Sequence, residues 1–272
     1  MASKRYGVDR RHFLKYLSAL STVPLLGQQV EGRVLQHPKF KDNPFKMGVA
    51  SGDPHPSGFV IWTRLAPDPL NGGGMPDEFV NVRWQISKDE NMSQIVQAGT
   101  TVSTPQLGHA IHVEVNGLEP NREYFYRFKV GQEISPVGRS KTAPKMHAMP
   151  EQFRFAYTSC QHYEYGYFNG YDHMVKEDLD VVLHLGDYIY EYGGRDKKPR
   201  KHLGGEIVSL DDYRNRYAQY RVDPQLQEAH RIFPWIVTWD DHEFDNNYAS
   251  LVSEEEGISP EEFLYRRINA YQ

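Results

Sequence analysis

Three stretches of this 272-residue chain end on side chains that bind cations or carry protons. The first, Phe153-Arg-Phe-Ala-Tyr-Thr-Ser-Cys160, finishes on the single cysteine. The second, Val181 to Glu191, places Asp187 directly after Gly186, with Tyr190 three residues further on. The third, Pro234 to Glu243, runs through Trp235-Ile-Val-Thr-Trp239 into Asp240, Asp241, His242 and Glu243. Thiolate, carboxylate and phenolate together suit a highly charged cation: sulfur and phenolate oxygen favour iron, and carboxylates also hold calcium, magnesium or manganese. Asp187 has two oxygens and so can bridge two ions, and His242 is suited to proton transfer near neutral pH. Each side chain also has a plainer reading alone. Cys160 could be a small core residue, Asp187 and Asp240 turn residues, and Tyr190 one more packed ring among 18 tyrosines. Their joint occurrence at three strand ends is what points to a site.

The elements that must position these residues are legible around them. Val181–Leu185 and Trp235–Trp239 predict short buried strands, and Gly186 lets the backbone turn where the first of them stops. Asn169 to Glu177 predicts a helix leading from the Cys160 strand to the Val181 strand, a β-α-β unit whose crossover makes the sheet parallel. Parallel strands bring their carboxyl ends to one edge, where open α/β sheets bind ligands. Tyr190 reaches the ion of Asp187 if the chain turns helically after Gly186. His184 alternates away from that edge, Glu243 reads as an orienter of a ligand, and Asn246 and Asn247 are candidate further donors. Ser209 and Ser259 predict the N-caps of two helices, the second with Pro260 in its first position. The basic run from Arg195 to Lys201, within the Gly-rich stretch 193–205, reads as a solvated surface loop rather than a substrate contact.

Upstream, the pattern from Phe45 is that of an all-β module. Candidate strands are Lys46–Ser51, Phe59–Leu65, Val80–Ser87, Ile95–Val102, Ala110–Val115, Glu123–Val130 and Arg139–Thr142, separated by Gly, Pro, Asn and Asp clusters. Seven short strands at this spacing predict an immunoglobulin or fibronectin type III sandwich, and Gly117 to Tyr126 has the form of its tyrosine corner. The domain expectation is a signal region over 1–35, a linker over 36–44, the sandwich over 45–145 and a second domain over 150–272, with the Pro-rich stretch 143–150 as the boundary. The sandwich carries no paired acids or Cys/His cluster, so a structural role is expected.

Composition limits the function classes. With 39% hydrophobic and 25% charged residues the chain is a soluble globular protein, long enough for two domains. A net charge of −5 argues against a general nucleic-acid binder, whose surface would be basic. One cysteine excludes an intramolecular disulfide. Asp9-Arg10-Arg11-His12-Phe13-Leu14-Lys15, followed by a modestly apolar stretch to Gly27, has the form of a twin-arginine export signal, which predicts a periplasmic or secreted protein.

Gly186-Asp-Tyr-Ile-Tyr-Glu191 and Trp239-Asp-Asp-His-Glu243, following Thr158-Ser-Cys-Gln161, resemble the motifs of the alkaline phosphatase D (PhoD) family of calcineurin-like metallophosphoesterases. The resemblance runs from the N-terminal stretch to the last residue. With the strand pattern it implies an immunoglobulin/fibronectin III-like all-β sandwich followed by an incomplete α/β metallophosphoesterase domain. It implies that Cys160 and Tyr190 bind Fe3+, that Asp187 bridges it to Ca2+ or another divalent ion, and that Asp241 is a metal ligand where related phosphoesterases have Asn. His242 would be the catalytic histidine. The implied activity is hydrolysis of phosphate mono- and diesters outside the cytoplasm by a monomer, with phosphate esters and the twin-arginine export machinery as partners. Two rivals are a purple acid phosphatase-like enzyme, disfavoured by Cys160 and by Asp-Asp-His-Glu, and a non-catalytic exported β-sandwich binding protein. A dinuclear site of this kind needs further ligands, and no histidine follows Glu243. The chain is therefore expected to be an N-terminal portion of a longer protein, binding metal poorly and turning over little substrate alone.

Overall fold

The computed structural model describes residues 34–36 and 38–272; the twin-arginine stretch and the rest of the expected signal region up to residue 33 lie outside the described residues. Among the described residues twelve strands form two six-stranded sheets. The first contains β1 (Val34–Leu35), β4 (Phe79–Ser87), β5 (Ile95–Ser103), β7 (Glu123–Val130), β8 (Glu133–Ile134) and β9 (Gly138–Lys141). The second runs in the order β10 (Phe155–Thr158), β11 (Val181–His184), β12 (Pro234–Val237), β2 (Val49–His55), β3 (Gly58–Arg64), β6 (Ala110–Val115).

The strands before residue 145 follow their period-two pattern closely. In β7 the side chains of Tyr124, Tyr126, Phe128 and Val130 are buried while those between them are not. These residues meet Phe59, Ile61, Val80, Val82 and Ile86 in one apolar core. The corner before β7 forms, because the Tyr124 hydroxyl accepts the Glu119 backbone N–H at 3.0 Å.

The two halves of the chain share a sheet rather than standing as successive bodies. β12 pairs in parallel with β2, Trp235 opposite Gly52. A side chain at Gly52 would place its Cβ 2.7 Å from the Trp235 carbonyl oxygen, so the junction needs glycine there. Expectations drawn from local pattern miss this pairing because its partners are some 180 residues apart in sequence.

Beyond residue 150 the chain builds the parallel part of that sheet. α1 (Asn169–Met174) connects β10 to β11, and all four of their register pairs are parallel. α2 (Leu210–Arg221) and α4 (Pro260–Tyr271) start on capping boxes of Ser209 with Asp212 and Ser259 with Glu262. α3 (Pro224–Ile232) was not expected; its signals are Asp223, whose carboxylate caps Gln225 and Leu226, and Pro224 at the first turn. Leu226, Ala229 and Phe233 pack with Val182 and Trp235 on one face of this sheet. On the other face Phe155, Tyr157 and Ile236 are exposed, as is Val237 at the end of β12, so β12 is not the buried strand that its apolar content predicts. No described helix is long and apolar enough to cross a membrane.

Candidate metal centre

Parallel register brings the three chemistry-bearing ends to one edge. Thr158 lies opposite His184, and His184 opposite Val237. The chain leaves these strands through two non-glycine residues in the left-handed region, Cys160 (φ 55°) and Asp187 (φ 56°). Such residues persist only where their surroundings hold them. Here the two loops hold each other: the Cys160 N–H donates to the Gly186 carbonyl (3.1 Å) and the Gln161 N–H to the Asp187 carbonyl (3.2 Å). Gly186 (φ 103°) passes so close to the third loop that a Cβ there would lie 2.5 Å from that of Asp240.

Glu243 ties the third loop to the second. Its buried carboxylate accepts the backbone N–H groups of Asp187 (3.1 Å), Asp240 (2.9 Å) and Tyr188. It positions the Asp187 turn and presents no oxygen to the donor cluster, as an orienting acid should. Asp241 is fixed by the N–H groups of His242 (3.1 Å) and Asn247 (2.6 Å) on its carboxylate. The side-chain amides of Asn246 and Asn247 turn instead to Glu254, and only their backbone N–H groups serve the site, that of Asn247 on Asp241 and that of Asn246 on Glu191.

The outcome is a compact donor group. Asp187, Asp241 and His242 each offer a ligand atom within 4.8 Å of the others. The Tyr190 hydroxyl donates to Asp187 Oδ2 at 3.0 Å, although no helical turn forms between them; the left-handed Asp187 redirects the chain and achieves the reach. Cys160 stands outside the three-donor group but on the wall of the adjoining cavity. That cavity, about 550 Å³, is lined by Cys160, His162, Tyr165, Tyr190, Tyr192, Arg195 and His242, none of them from the first 145 residues. His184 is buried in the core against Trp235.

Electrostatics distinguishes the groups. Burial, reinforced by the Asp187 charge, pushes the Tyr190 phenol well above its ordinary value. Burial opposes protonation of His242, but its hydrogen bond to Glu191 (Nδ1 to Oε2, 2.8 Å) and the acids around it outweigh this and raise its pKa. Burial takes His162 down to about 4, leaving it neutral. Glu191 was not singled out from sequence, yet it closes the same motif as Asp187; its burial beside His242 and its bond from the Asn246 N–H (3.0 Å) give it an orienting role. Arg216 on α2 was also missed. Fully inside the protein, it donates to the carbonyls of Tyr190, Tyr192 (2.9 Å) and Gly205 (3.2 Å) and so clamps the chain that follows the metal-side acid.

The donors fit a cation on their own chemistry. Asp187 Oδ1 is buried without a hydrogen-bond partner, which costs free energy unless a positive charge takes it up. Two carboxylates, an imidazole, a phenol and a thiol around one edge supply hard and soft ligands together.

A mixed sheet with a candidate donor group at the carboxyl ends of its parallel strands has its polar centre where open α/β sheets bind ligands, with antiparallel strands continuing the same sheet. Two family models match the sequence: PhoD-like phosphatase over residues 155–272, and the PhoD-like phosphatase N-terminal domain over residues 30–144. The chain belongs to the PhoD-like phosphatase family. Alkaline phosphatase D of Bacillus subtilis (strain 168) is 52% identical over 273 aligned residues, 97% of this chain and 47% of that protein. A solved structure described as that of PhoD superposes with a TM-score of 0.84 at 55% identity, covering 86% of this chain and 46% of that one. The chain thus spans about half the length of the relatives it matches.

Proposed function

We propose that this chain contributes the core of a metal-dependent phosphoesterase that hydrolyses phosphate mono- and diesters outside the cytoplasm. The observation that carries the reading is the meeting of Asp187, Asp241 and His242 within 4.8 Å, with the Tyr190 hydroxyl on Asp187 and one Asp187 oxygen unpartnered. Asp187 and Asp241 would hold the cations, with Tyr190 and Cys160 as the donors that favour Fe3+ and the carboxylates those that accept Ca2+. When bound, the cations supply Lewis-acid activation of the phosphate and make an attacking water acidic near neutral pH.

The protein's own groups do the rest. Glu191 accepts from His242 Nδ1, which fixes the ring and keeps it charged to a higher pH than usual. The free Nε2–H can then donate to a phosphate oxygen or pass a proton to the leaving alkoxide. Glu243 holds the Asp187 turn in place, and Tyr190, its ring tilted between those of His162 and His242, would line the floor beneath the ester.

For these 272 residues alone we propose weak metal retention and little turnover, because the donors grouped here leave each of two ions short of ligands. The N-terminal layers we read as a variant immunoglobulin/fibronectin III-like sandwich, supported by the Tyr124 corner. Export by the twin-arginine route and a monomeric state complete the proposal. Replacing Arg10 and Arg11 by lysine should strand the protein in the cytoplasm. The decisive experiment is metal analysis of active full-length protein: iron and calcium should copurify, with a visible tyrosinate-to-iron band that Tyr190→Phe abolishes. Active protein lacking both metals would sink the reading.

A further inference from the structure

The basic loop 193–205 is exposed along much of its length but pinned to the protein at Arg195 and His202. Glu164, fully buried, accepts the backbone N–H groups of Arg195 (2.7 Å) and His202 (3.1 Å), and His202 Nδ1 bonds the Tyr192 carbonyl (3.0 Å). This anchoring sets the Arg195 side chain in the cavity wall, its guanidinium 4.5 Å over the Tyr192 ring and donating to the Tyr165 hydroxyl at 3.2 Å. Among the described residues no carboxylate lies within ion-pair distance of Arg195. A guanidinium in a concave wall, stacked and held by its backbone but without an acid, is arranged to receive an anion.

Its position says which anion. The reacting phosphate belongs beside Asp187, Asp241 and His242, and Arg195 touches none of these. Tyr192 stands between, its ring 5.4 Å from that of His242 on one hand and under the guanidinium on the other. A cavity of about 550 Å³ also has room for much more than a phosphate group, and Tyr165, Tyr192 and His162 give it aromatic walls. Building on the phosphoesterase reading, we propose that Arg195, seated on Tyr192 and Tyr165, is a specificity-determining residue that binds a second negative charge on the leaving group. The favoured substrates are then esters whose leaving group is itself anionic.

The test uses metal-loaded full-length protein and two diesters, methyl 4-nitrophenyl phosphate and its 3-carboxy analogue, which differ by one charge on the leaving ring. The quantity measured is the ratio of kcat/KM for the carboxylated over the plain ester, in which any misfolded fraction cancels. The wild type should favour the carboxylated ester, and Arg195→Gln should cut the ratio about tenfold; a ratio unchanged by the substitution overturns the proposal. Should neither ester be turned over, the phosphoesterase reading fails on its own, and calorimetry with 3-carboxyphenylphosphonate decides the subsite. Binding about tenfold weaker in Arg195→Gln upholds it, and equal or absent binding in both proteins overturns it.

Discussion

The strand layers before residue 145 and the ligand edge after residue 155 are built on different physics. Among the described residues of the former, the buried charged or imidazole side chains are Arg64 and His109 alone; in the latter they include Glu164, Asp187, Glu191, His202, Arg216, Asp223, Glu243, Asp245 and Arg266. Apolar burial is non-directional and tolerates small shifts, so it makes a stable support but does not aim a side chain. Hydrogen bonds to buried charges are directional and expensive to leave unmade. The acid-rich half therefore gains position at the cost of stability, and leans on the shared sheet for the remainder.

That division makes the largest expected effects separate cleanly. In metal-loaded full-length protein, His242→Ala should lower kcat by about 10²–10⁴. Its thermal midpoint should fall modestly, through loss of the one hydrogen bond to Glu191 from a side chain 14% exposed at the cavity rim. Phe128→Ala, in the core of the first sheet, should do the converse: a loss of about 3–5 kcal/mol of stability by urea unfolding, with unaltered kcat/KM for the folded fraction. If the Phe128 variant lost metal affinity as well, support and site would not be separable.

The same division explains what sequence could reveal. Alternating residues such as those of β7 announce their own strand, and the bounds Ala110–Val115 and Glu123–Val130 are those expected. Asp187, Tyr190, Asp241 and His242 were legible because each follows an apolar run, and parallel pairing did bring those ends together. Glu191 and Arg216 were not, because their partners are fixed by burial and by chain segments far away in sequence. The anchoring of the Arg195 loop was not legible for a related reason: it is pinned by Glu164, about 30 residues upstream, a contact that composition cannot show. The β12–β2 pairing that fuses the halves is longer in range still.

A smaller, pH-dependent effect tests the polar half from within. Glu191→Gln should reduce kcat about 10–100-fold, as loss of a ring-orienting acid does. Because Glu191 helps raise the His242 pKa, the alkaline fall of the rate should begin at lower pH in the variant. The sign for stability follows: a histidine with a raised folded pKa stabilises most below its unfolded value of about 6.5 and loses that contribution as pH rises through the folded one. The variant's stability deficit should therefore be greatest in acid and shrink toward alkaline pH. A deficit independent of pH would mean that Glu191 acts through packing alone.

The smallest expected effect compares one chemical change in both settings. Tyr124 and Tyr190 are both buried and both use their hydroxyls, Tyr124 as acceptor from the Glu119 N–H and Tyr190 as donor to Asp187. Removing the Tyr124 hydroxyl as Phe costs one neutral hydrogen bond, about 1 kcal/mol. It should appear as a small shift in the urea midpoint with an unchanged slope and full metal content. Removing the Tyr190 hydroxyl takes away a candidate ligand whose proton must leave before it can bind, so its signature should be metal loss and a changed proton release on loading. The surrounding apolar core contains the first deletion, whereas the second propagates through Asp187 to every group at the edge. Equal metal contents in the two variants would show that the tyrosine beside Asp187 is packed as the other is, and the contrast between the halves would fail at its most specific point.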